Sequence, residues 1–193
     1  MKDIIIDQLE KHIKVVKDTK ELANIIAKII GDIIDCYNQG GKVILFGNGG
    51  SAADAQHIAA EFVGILRRSS MRPALNAIAL TTNTSIITAV SNDFGSAHIF
   101  ERQIEAIVEA SDVVIGLSTS GSSENVMLAL IKAKELGAKT IGLLGGNGGS
   151  ILDIADISLV IPTKDTPNIQ EVHITVGHII CDLVEQELKG EDI

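Results

Sequence analysis

From residue 42 onwards the chain alternates short β-rich runs with helical stretches, and this alternation restricts its possible folds more than any other feature. Five apolar runs have the length and residue content of strands: KVILF, NAIAL, DVVIGL, KTIGLL and ISLVI. The longer stretches between them have the spacing of apolar residues that is typical of helices. Such an alternation predicts a parallel sheet with right-handed crossovers, and therefore an α/β protein.

The first 40 residues precede this alternation and follow a different pattern. Between residues 3 and 39, isoleucine and leucine recur on one broad face of a helix, and GlnGlyGly at 39–41 ends the pattern. That face is wide enough to be covered by the chain's own sheet and by a second subunit, and both interpretations stay open. We predict a single domain over residues 1–193, with residues 1–40 as an N-terminal helical extension.

Composition and charge exclude several classes of protein. The net charge of −9 argues against nucleic acid as a partner, because a phosphate backbone is bound by clustered lysine and arginine. No apolar run approaches the roughly 20 residues of a membrane-spanning helix. The N-terminus does not resemble a signal peptide, and Cys36 and Cys181 lie far apart. These features predict a cytoplasmic protein with no membrane partner.

The loop after the third predicted strand, STSGSS at 118–123, has the composition of a phosphate site. Five hydroxyl side chains surround Gly121, and a helical pattern begins directly after them. Serine hydroxyls and the free N–H groups of a helix N-terminus both donate hydrogen bonds to anions. Helix capping by Ser123 is the alternative interpretation, but a cap needs one hydroxyl rather than five.

A second glycine-rich loop, GNGGSAADAQH, follows the first predicted strand. Its glycines match the dinucleotide-binding pattern, which also requires an acidic residue about 20 positions later to hold a ribose. The corresponding region, LRRSSMRPALNAIALTTN, contains no carboxylate. NAD is therefore the weaker interpretation, and we interpret four residues as polar contacts to a sugar: Asn48, Gly49, Gly50 and Ser51.

Two helical stretches carry side chains suited to metal binding or proton transfer. His57 and Glu61 are four residues apart, which places imidazole and carboxylate on one face of a helix. In the last helical stretch Gln170 and His178 lie within about 80° of each other, whereas His173 points to a different side. Either pair alone is usually an ordinary core or surface pair. Two such pairs on helices that flank one sheet edge favour a functional role.

Together these motifs resemble the SIS (sugar isomerase) domain family, and within it the branch that isomerises phosphorylated heptoses. The resemblance covers the leading helices, GNGGSAADAQHIAAE at 47–61, NDFG at 92–95, STSGSS at 118–123 and IQEVHITVGHII at 169–180. It implies a three-layer sandwich with a five-stranded parallel sheet of flavodoxin-like SIS type. It also implies a homotetramer that uses the N-terminal helices for oligomerisation and has active sites at subunit interfaces.

The resemblance further implies which residues bind substrate and metal. Contacts to the sugar are implied for Asn48, Gly49, Gly50, Asn92 and Asp93, and contacts to its phosphate for Ser118, Thr119, Ser120 and Ser123. Zinc is the implied cofactor, with His57, Glu61, Gln170 and His178 as ligands, a mixed nitrogen and oxygen set that zinc accepts. The implied reaction converts sedoheptulose 7-phosphate to D-glycero-D-manno-heptose 7-phosphate.

An aldose–ketose isomerase moves a proton between adjacent carbons through an enediol, so it needs a base and an acid. We assign Glu61 as the base and His178 as the acid, with zinc or Gln170 polarising the carbonyl oxygen of the bound substrate. A carboxylate that binds zinc tightly is a weaker base. Glu61 can therefore serve both purposes only if its coordination loosens.

Two other functions stay open at this point. Some SIS proteins bind a sugar phosphate or another protein without turnover, and such a module would need no proton-transfer pair. The chain could also isomerise a different sugar phosphate, since the residues named above recognise the phosphate and the reacting carbons rather than chain length.

No functional site is assigned to two further segments. GGNGGS at 145–150 is predicted to be a turn, because no helix of comparable length follows it. RRSSMRP at 67–73 is longer than the resemblance leads us to expect. Its Arg67, Arg68 and Arg72 could reach a substrate phosphate or, more commonly for a basic loop in an acidic chain, form solvated surface.

Overall fold

Five parallel strands form the sheet of the computed structural model, which describes residues 1–67 and 72–189. The strands are β1 (Val43–Gly47), β2 (Ala77–Ala79), β3 (Val113–Ser118), β4 (Lys139–Gly145) and β5 (Ile157–Ile161). Their order across the sheet is β2-β1-β3-β4-β5. Every predicted strand is confirmed to within one residue at each end, and so is the predicted flavodoxin-like α/β class.

Seven helices accompany the sheet in the part of the chain that the structure describes. They are α1 (Lys2–Asp18), α2 (Ala23–Asn38), α3 (Gly50–Val63), α4 (Thr84–Phe94), α5 (Glu101–Ile107), α6 (Glu124–Glu135) and α7 (Thr166–Glu187). The N-terminal helical pattern is interrupted by a 3-10 turn at Thr19–Leu22, which separates α1 from α2. None of the described helices is both long and apolar enough to cross a bilayer.

The core is divided by the sheet into two layers. Val43 and Leu45 pack with α2, α3 and α7 on one face, whereas Ile44 and Phe46 pack with α5 and α6 on the other. Successive strand side chains point to opposite faces, so a sheet covered on both sides needs apolar residues at every position. This requirement explains why the strand sequences are continuous apolar runs.

Helix α4 is the exception to this packing. It has no buried residue, and its Ile86 and Phe94 are exposed. It begins at Asn83, whose side chain accepts a hydrogen bond from the Ile86 N–H and so caps the helix. The helix is therefore locally well formed but contributes little to the core of this chain.

Candidate active site at the sheet switch point

The two glycine- and serine-rich loops lie side by side at the carboxyl edge of the sheet. The first follows β1 and the second follows β3, and these strands are hydrogen-bonded neighbours with Gly47 opposite Leu117. In the strand order of this sheet, the chain that leaves β1 continues to β2 on one side, whereas the chain that leaves β3 continues to β4 on the other side. The resulting crevice is where open α/β sheets bind ligands.

The phosphate-type loop brings its hydroxyl groups together. The Oγ atom of Ser118 lies 2.9 Å from that of Ser123 and 3.4 Å from that of Ser120, and Thr119 stands half-buried between them. Ser123 occupies the N-cap position of α6, but its side chain makes no capping hydrogen bond. Its hydroxyl therefore belongs to the serine cluster, and the first N–H groups of α6 remain available to an anion.

A turn packs against this loop from the end of β4. Gly121 has a φ of +66°, and its carbonyl accepts a hydrogen bond from the Ile151 N–H at 2.9 Å. A Cβ at residue 121 would lie 2.1 Å from the carbonyl oxygen of Gly148. GGNGGS is thus confirmed as a turn, and the structure gives its glycines a purpose: they let two backbones meet beneath the serine cluster.

The first loop is joined to the second by a pair of amides. The side chain of Asn48 exchanges two hydrogen bonds with that of Asn125, at 2.8 and 2.9 Å. Asn125 lies in the first turn of α6, 77 residues further along the chain. Sequence reasoning missed it, because nothing local distinguishes it from any other polar residue near a helix start.

The glycines of the first loop shape the start of α3. Gly49, at the N-cap position, has a φ of +57° that disfavours other residues. Ser51 in the first turn is buried. A Cβ at Gly50 would lie 2.5 Å from the amide nitrogen of Gln170, so the Gln170 side chain rests directly against this backbone.

Helices α3 and α7 approach each other closely, and this contact brings the two predicted pairs together. At Gly177 a Cβ would lie 2.7 Å from the Cδ1 atom of Ile58, so the missing side chain allows α7 to lie close to α3. One residue further, the Nε2 atom of His178 lies 3.1 Å from the Nε2 atom of His57. Glu61 completes the group, with its Oε1 atom 3.2 Å from the same His57 nitrogen.

This cluster brings together three side chains that could hold a metal ion. The candidate ligand atoms of His57, Glu61 and His178 all lie within 4.8 Å of one another. Zinc bonds of about 2.0–2.1 Å in a tetrahedron place neighbouring ligand atoms roughly 3.3 Å apart. The separations of the His57 nitrogen from His178 and from Glu61, 3.1 and 3.2 Å, are close to that value. Gln170, which projects from the same helix as His178, is the candidate for a fourth ligand.

Asn92 and Asp93 are not joined to these groups within the described chain. They lie exposed near the end of α4, where the Asn92 amide donates a hydrogen bond of 2.7 Å to the Asp93 carboxylate. Among the described residues, no hydrogen bond links either of them to the serine loop or to the histidine cluster. Their substrate contacts stay a prediction from the resemblance.

The described part of the basic segment between α3 and β2 contains an exposed arginine, Arg67, and a buried one, Arg72, and each is paired with a carboxylate of α7. Arg67 forms two hydrogen bonds with Asp182 of α7, at 2.6 and 3.1 Å. Arg72 is buried and paired with Glu185. It therefore neither forms solvated surface nor contacts a phosphate directly. Arg68 lies outside the described residues.

His173 lies apart from the cluster, as its position on α7 predicts. It is completely buried, and its Nε2 atom lies 3.1 Å from the Leu144 carbonyl oxygen, to which an Nε2–H donates. Burial, only partly offset by that hydrogen bond, lowers the pKa of His173 to about 4. The side chain is therefore a neutral core residue at neutral pH.

His173 should make the folded state sensitive to mild acid. In the unfolded chain the pKa of this histidine has its ordinary value of about 6.5, so as the pH falls the unfolded chain binds the proton before the folded chain does. The contribution of neutral His173 to the free energy of unfolding is therefore fully present above pH 6.5 and is lost as the pH falls towards 4. We expect the free energy of unfolding to be about 2 kcal/mol lower at pH 5 than at pH 7 because of this residue. Denaturant titrations of wild type and His173→Gln measure the difference. In His173→Gln the free energy of unfolding should no longer fall between pH 7 and pH 5 by this amount, whereas in His98→Gln it should fall as in wild type. An unchanged pH dependence in His173→Gln would contradict the assignment of this effect to His173.

Comparison with known proteins places the chain among sugar-phosphate enzymes. Residues 6–145 match the family model described as the SIS domain. The phosphoheptose isomerase of Clostridium acetobutylicum is 51% identical over 100% of this chain and 99% of its own length, and that of Geobacter sulfurreducens is 56% identical over 88% of each. The solved phosphoheptose isomerase of Francisella tularensis superposes with a TM-score of 0.91 at 36% identity, covering 95% of this chain and 97% of that one. With the serine loop and the histidine cluster at its switch point, the chain belongs to the SIS domain family, among the phosphoheptose isomerases.

Proposed function

We propose that this protein is an aldose–ketose isomerase that converts sedoheptulose 7-phosphate to D-glycero-D-manno-heptose 7-phosphate. One observation carries the proposal: the Glu61 carboxylate and the His178 imidazole each lie within hydrogen-bond distance of His57, on helices that border the crevice holding the serine loop. Binding alone would require only the loops. The full-length relatives at 51–56% identity are phosphoheptose isomerases.

In the proposed reaction the two ends of the site have separate tasks. Hydroxyl groups of Ser118, Ser120 and Ser123, with the N–H groups of α6, hold the phosphate and so place C1 and C2 of the ketose at the other end. Thr119 contributes to the same loop. Asn48, Gly49, Gly50 and Ser51 line the sugar, and Asn92 and Asp93 complete the substrate contacts.

Proton transfer is the task of α3 and α7. The Glu61 carboxylate removes the C1 proton, which leaves an enediol with a hydroxyl on each of C1 and C2 once the C2 oxygen has gained a proton. His178, at a stage when its reacting nitrogen is not bound to metal, then supplies a proton to C2. The hydroxyl on C1 releases a proton, which balances the one that the C2 oxygen gained, and C1 becomes the aldehyde carbon. The Gln170 side chain, which lies against Gly50, donates an N–H hydrogen bond to the carbonyl oxygen of the substrate.

A coupled assay with sedoheptulose 7-phosphate tests the proposal, with formation of the aldose as the expected result. Binding of this ligand without turnover, measured by calorimetry with zinc supplied, would instead support a non-catalytic sugar-phosphate module. Turnover of a pentose or hexose phosphate in preference to the heptose would assign a different substrate. In each case the serine loop would keep its function and the assignment of the reaction would change.

Zinc is the cofactor that the donor set favours, with one ion held by His57, Glu61, Gln170 and His178. When bound, zinc would act as a Lewis acid on the carbonyl and hydroxyl oxygens of the substrate. Elemental analysis of purified protein should find about one zinc per chain, and His57→Gln should lower that ratio strongly. Full zinc occupancy in His57→Gln would contradict this ligand set.

A homotetramer is the proposed assembly, with residues 1–40 as the extension that mediates it. Helix α1 buries only Val15, and it exposes a row of large apolar side chains: Ile4, Ile5, Ile6, Leu9 and Ile13. Exposed apolar surface of this extent is typical of a subunit interface. Light scattering at micromolar concentration should give four times the mass of the chain, and a monomeric mass would contradict it.

The cytoplasm is the proposed compartment. Cys36 and Cys181 are both buried free thiols, which suits a reducing environment. Burial raises the pKa of the Cys36 thiol to about 11 and that of the Cys181 thiol to about 12, so both stay protonated and unreactive.

A further inference from the structure

A buried ion pair ties the helix of Glu61 to the helix of His178. The side chains of Arg72 and Glu185 are each only 1% exposed, and the guanidinium NH2 group lies 3.1 Å from the Glu185 Oε2 atom. An uncompensated charge at such depth would be costly, so the two groups depend on each other. Arg72 also contacts the helix of Glu61, and Glu185 is itself part of the helix of His178.

The Arg72 side chain caps the C-terminal end of α3, the helix that carries Glu61. Its NH2 group donates to the backbone carbonyl of Glu61 at 3.0 Å, and its NH1 group donates to the Pro73 carbonyl at 3.0 Å. The last carbonyls of a helix have no partner inside the helix and attract positive charge. At the end of α3, the Ala60 carbonyl accepts a hydrogen bond from the Gly64 N–H, and the Phe62 carbonyl accepts one from the Leu75 N–H. The Glu61 carbonyl accepts its hydrogen bond from the Arg72 side chain.

Glu185 acts from the other helix. It follows His178 by seven residues, two turns of helix, so both side chains lie on the same face of α7. Its carboxylate also accepts hydrogen bonds of 3.1 Å from the N–H groups of Leu66 and Arg67. The chain that leaves α3 is thereby held to the His178 face of α7.

Cys181 lies between the histidine pair and the ion pair along the contact of α3 with α7. It lies one turn after His178 and one turn before Glu185, is buried, and directs its sulfur towards the Ile58 carbonyl of α3 at 3.9 Å. The α3–α7 contact therefore runs from the histidine pair through Cys181 to the ion pair. Because the interior is close-packed, we expect a change at the ion-pair end to alter the separation of the two helices at the histidine end.

We propose that Arg72 and Glu185 are positioning residues that set the distance between the Glu61 and His178 side chains. This inference rests on the proposed function of those two residues, since it gives the ion pair a role in catalysis beyond stability. Neither Arg72 nor Glu185 touches the substrate in this proposal. Both act through the helix that each one holds.

The test replaces the pair by apolar residues of similar size, Arg72→Met with Glu185→Leu. Buried ion pairs replaced in this way usually leave proteins folded, whereas removal of one partner strands a charge. We expect kcat to fall about 10- to 100-fold, with the KM for sedoheptulose 7-phosphate and the Kd for inorganic phosphate within about twofold of wild type, because the serine loop lies on other elements. Cobalt affinity, read from the visible spectrum without substrate, should also fall about 10- to 100-fold.

The control is the neighbouring exposed pair, changed by Arg67→Met with Asp182→Leu. It joins the same loop to the same helix, but its arginine side chain is 60% exposed, so kcat and cobalt affinity should stay near wild type. Glu185→Gln alone keeps an oxygen that can accept hydrogen bonds from the loop N–H groups and from Arg72, so its kcat should lie between that of the apolar pair and that of wild type.

The outcomes separate this inference from the proposed function. A folded apolar variant with wild-type kcat and wild-type cobalt affinity would overturn the positioning role. A wild-type protein without turnover, whose cobalt affinity nevertheless falls in the apolar variant, would refute the isomerase assignment and support the positioning role. A wild-type protein with neither turnover nor cobalt binding would overturn both. If the apolar pair does not fold, a kcat in Glu185→Gln equal to wild type would count against the proposal, and a reduced kcat with unchanged KM would support it.

Discussion

Replacement of Glu61 by glutamine is expected to lower kcat by about 10²- to 10⁴-fold, the range that a positioned general base contributes. Glutamine has nearly the same shape and can still face His57, but its amide cannot accept a proton from carbon. The coupled assay measures the loss. Exchange of the C1 proton of sedoheptulose 7-phosphate with solvent deuterium, followed by NMR, should stop as well, because that exchange requires the base alone.

Glu105→Gln is the matched control for this substitution. Glu105 is exposed on α5, where it pairs with Arg102, and the same chemical change there should leave kcat unaltered. Zinc content should be measured in both variants, so that loss of a ligand is separated from loss of a base. Full activity in Glu61→Gln would refute the assignment of Glu61 as base, whatever the metal content.

Gly121→Ala is expected to disable the phosphate loop and weaken the fold. An L-residue at a φ of +66° costs about 1–2 kcal/mol, and the new Cβ would lie 2.1 Å from the Gly148 carbonyl oxygen, a backbone atom that cannot rotate away. We expect the free energy of unfolding to fall by about 3 kcal/mol. Because Ser120 and Ser123 lie within two residues of the displaced one, the KM for sedoheptulose 7-phosphate should rise about 10- to 100-fold.

Gly31→Ala provides the comparison for this prediction. Gly31 lies within α2, has an ordinary φ, and no heavy atom would lie within 4 Å of an added Cβ. Alanine there should raise the free energy of unfolding by about 0.5–1 kcal/mol through helix propensity. Denaturant titration and the KM of both variants decide the matter. Equal stability and equal KM in the two would contradict the role given to Gly121.

Local patterns in the sequence were sufficient for the elements of the fold. The strands were predicted to within one residue, because a strand buried on both faces must be apolar throughout and ends where glycine and serine begin. The spacing of His57 and Glu61 likewise predicts a shared helix face. Each of these inferences depends on residues within about one turn or one strand of each other.

The contacts between distant segments were not predictable in this way. The pairing of Asn48 with Asn125, the turn at Gly148 beneath Gly121, and the burial of Arg72 against Glu185 each join residues far apart in the chain. Arg72 was expected at the surface because an arginine in a basic loop usually lies there. Its burial depends on a carboxylate more than 100 positions later, which no local pattern indicates.

The sequence by itself determined the parallel sheet, the two loops at its carboxyl edge, and which side chains share a face of α3 and of α7. Only the tertiary structure decided that these two faces meet and that His57 and His178 stand 3.1 Å apart. The reason is physical: backbone periodicity and turn chemistry act over a few residues, whereas the approach of two helices depends on contacts between distant segments, such as Gly50 with Gln170 and Gly177 with Ile58.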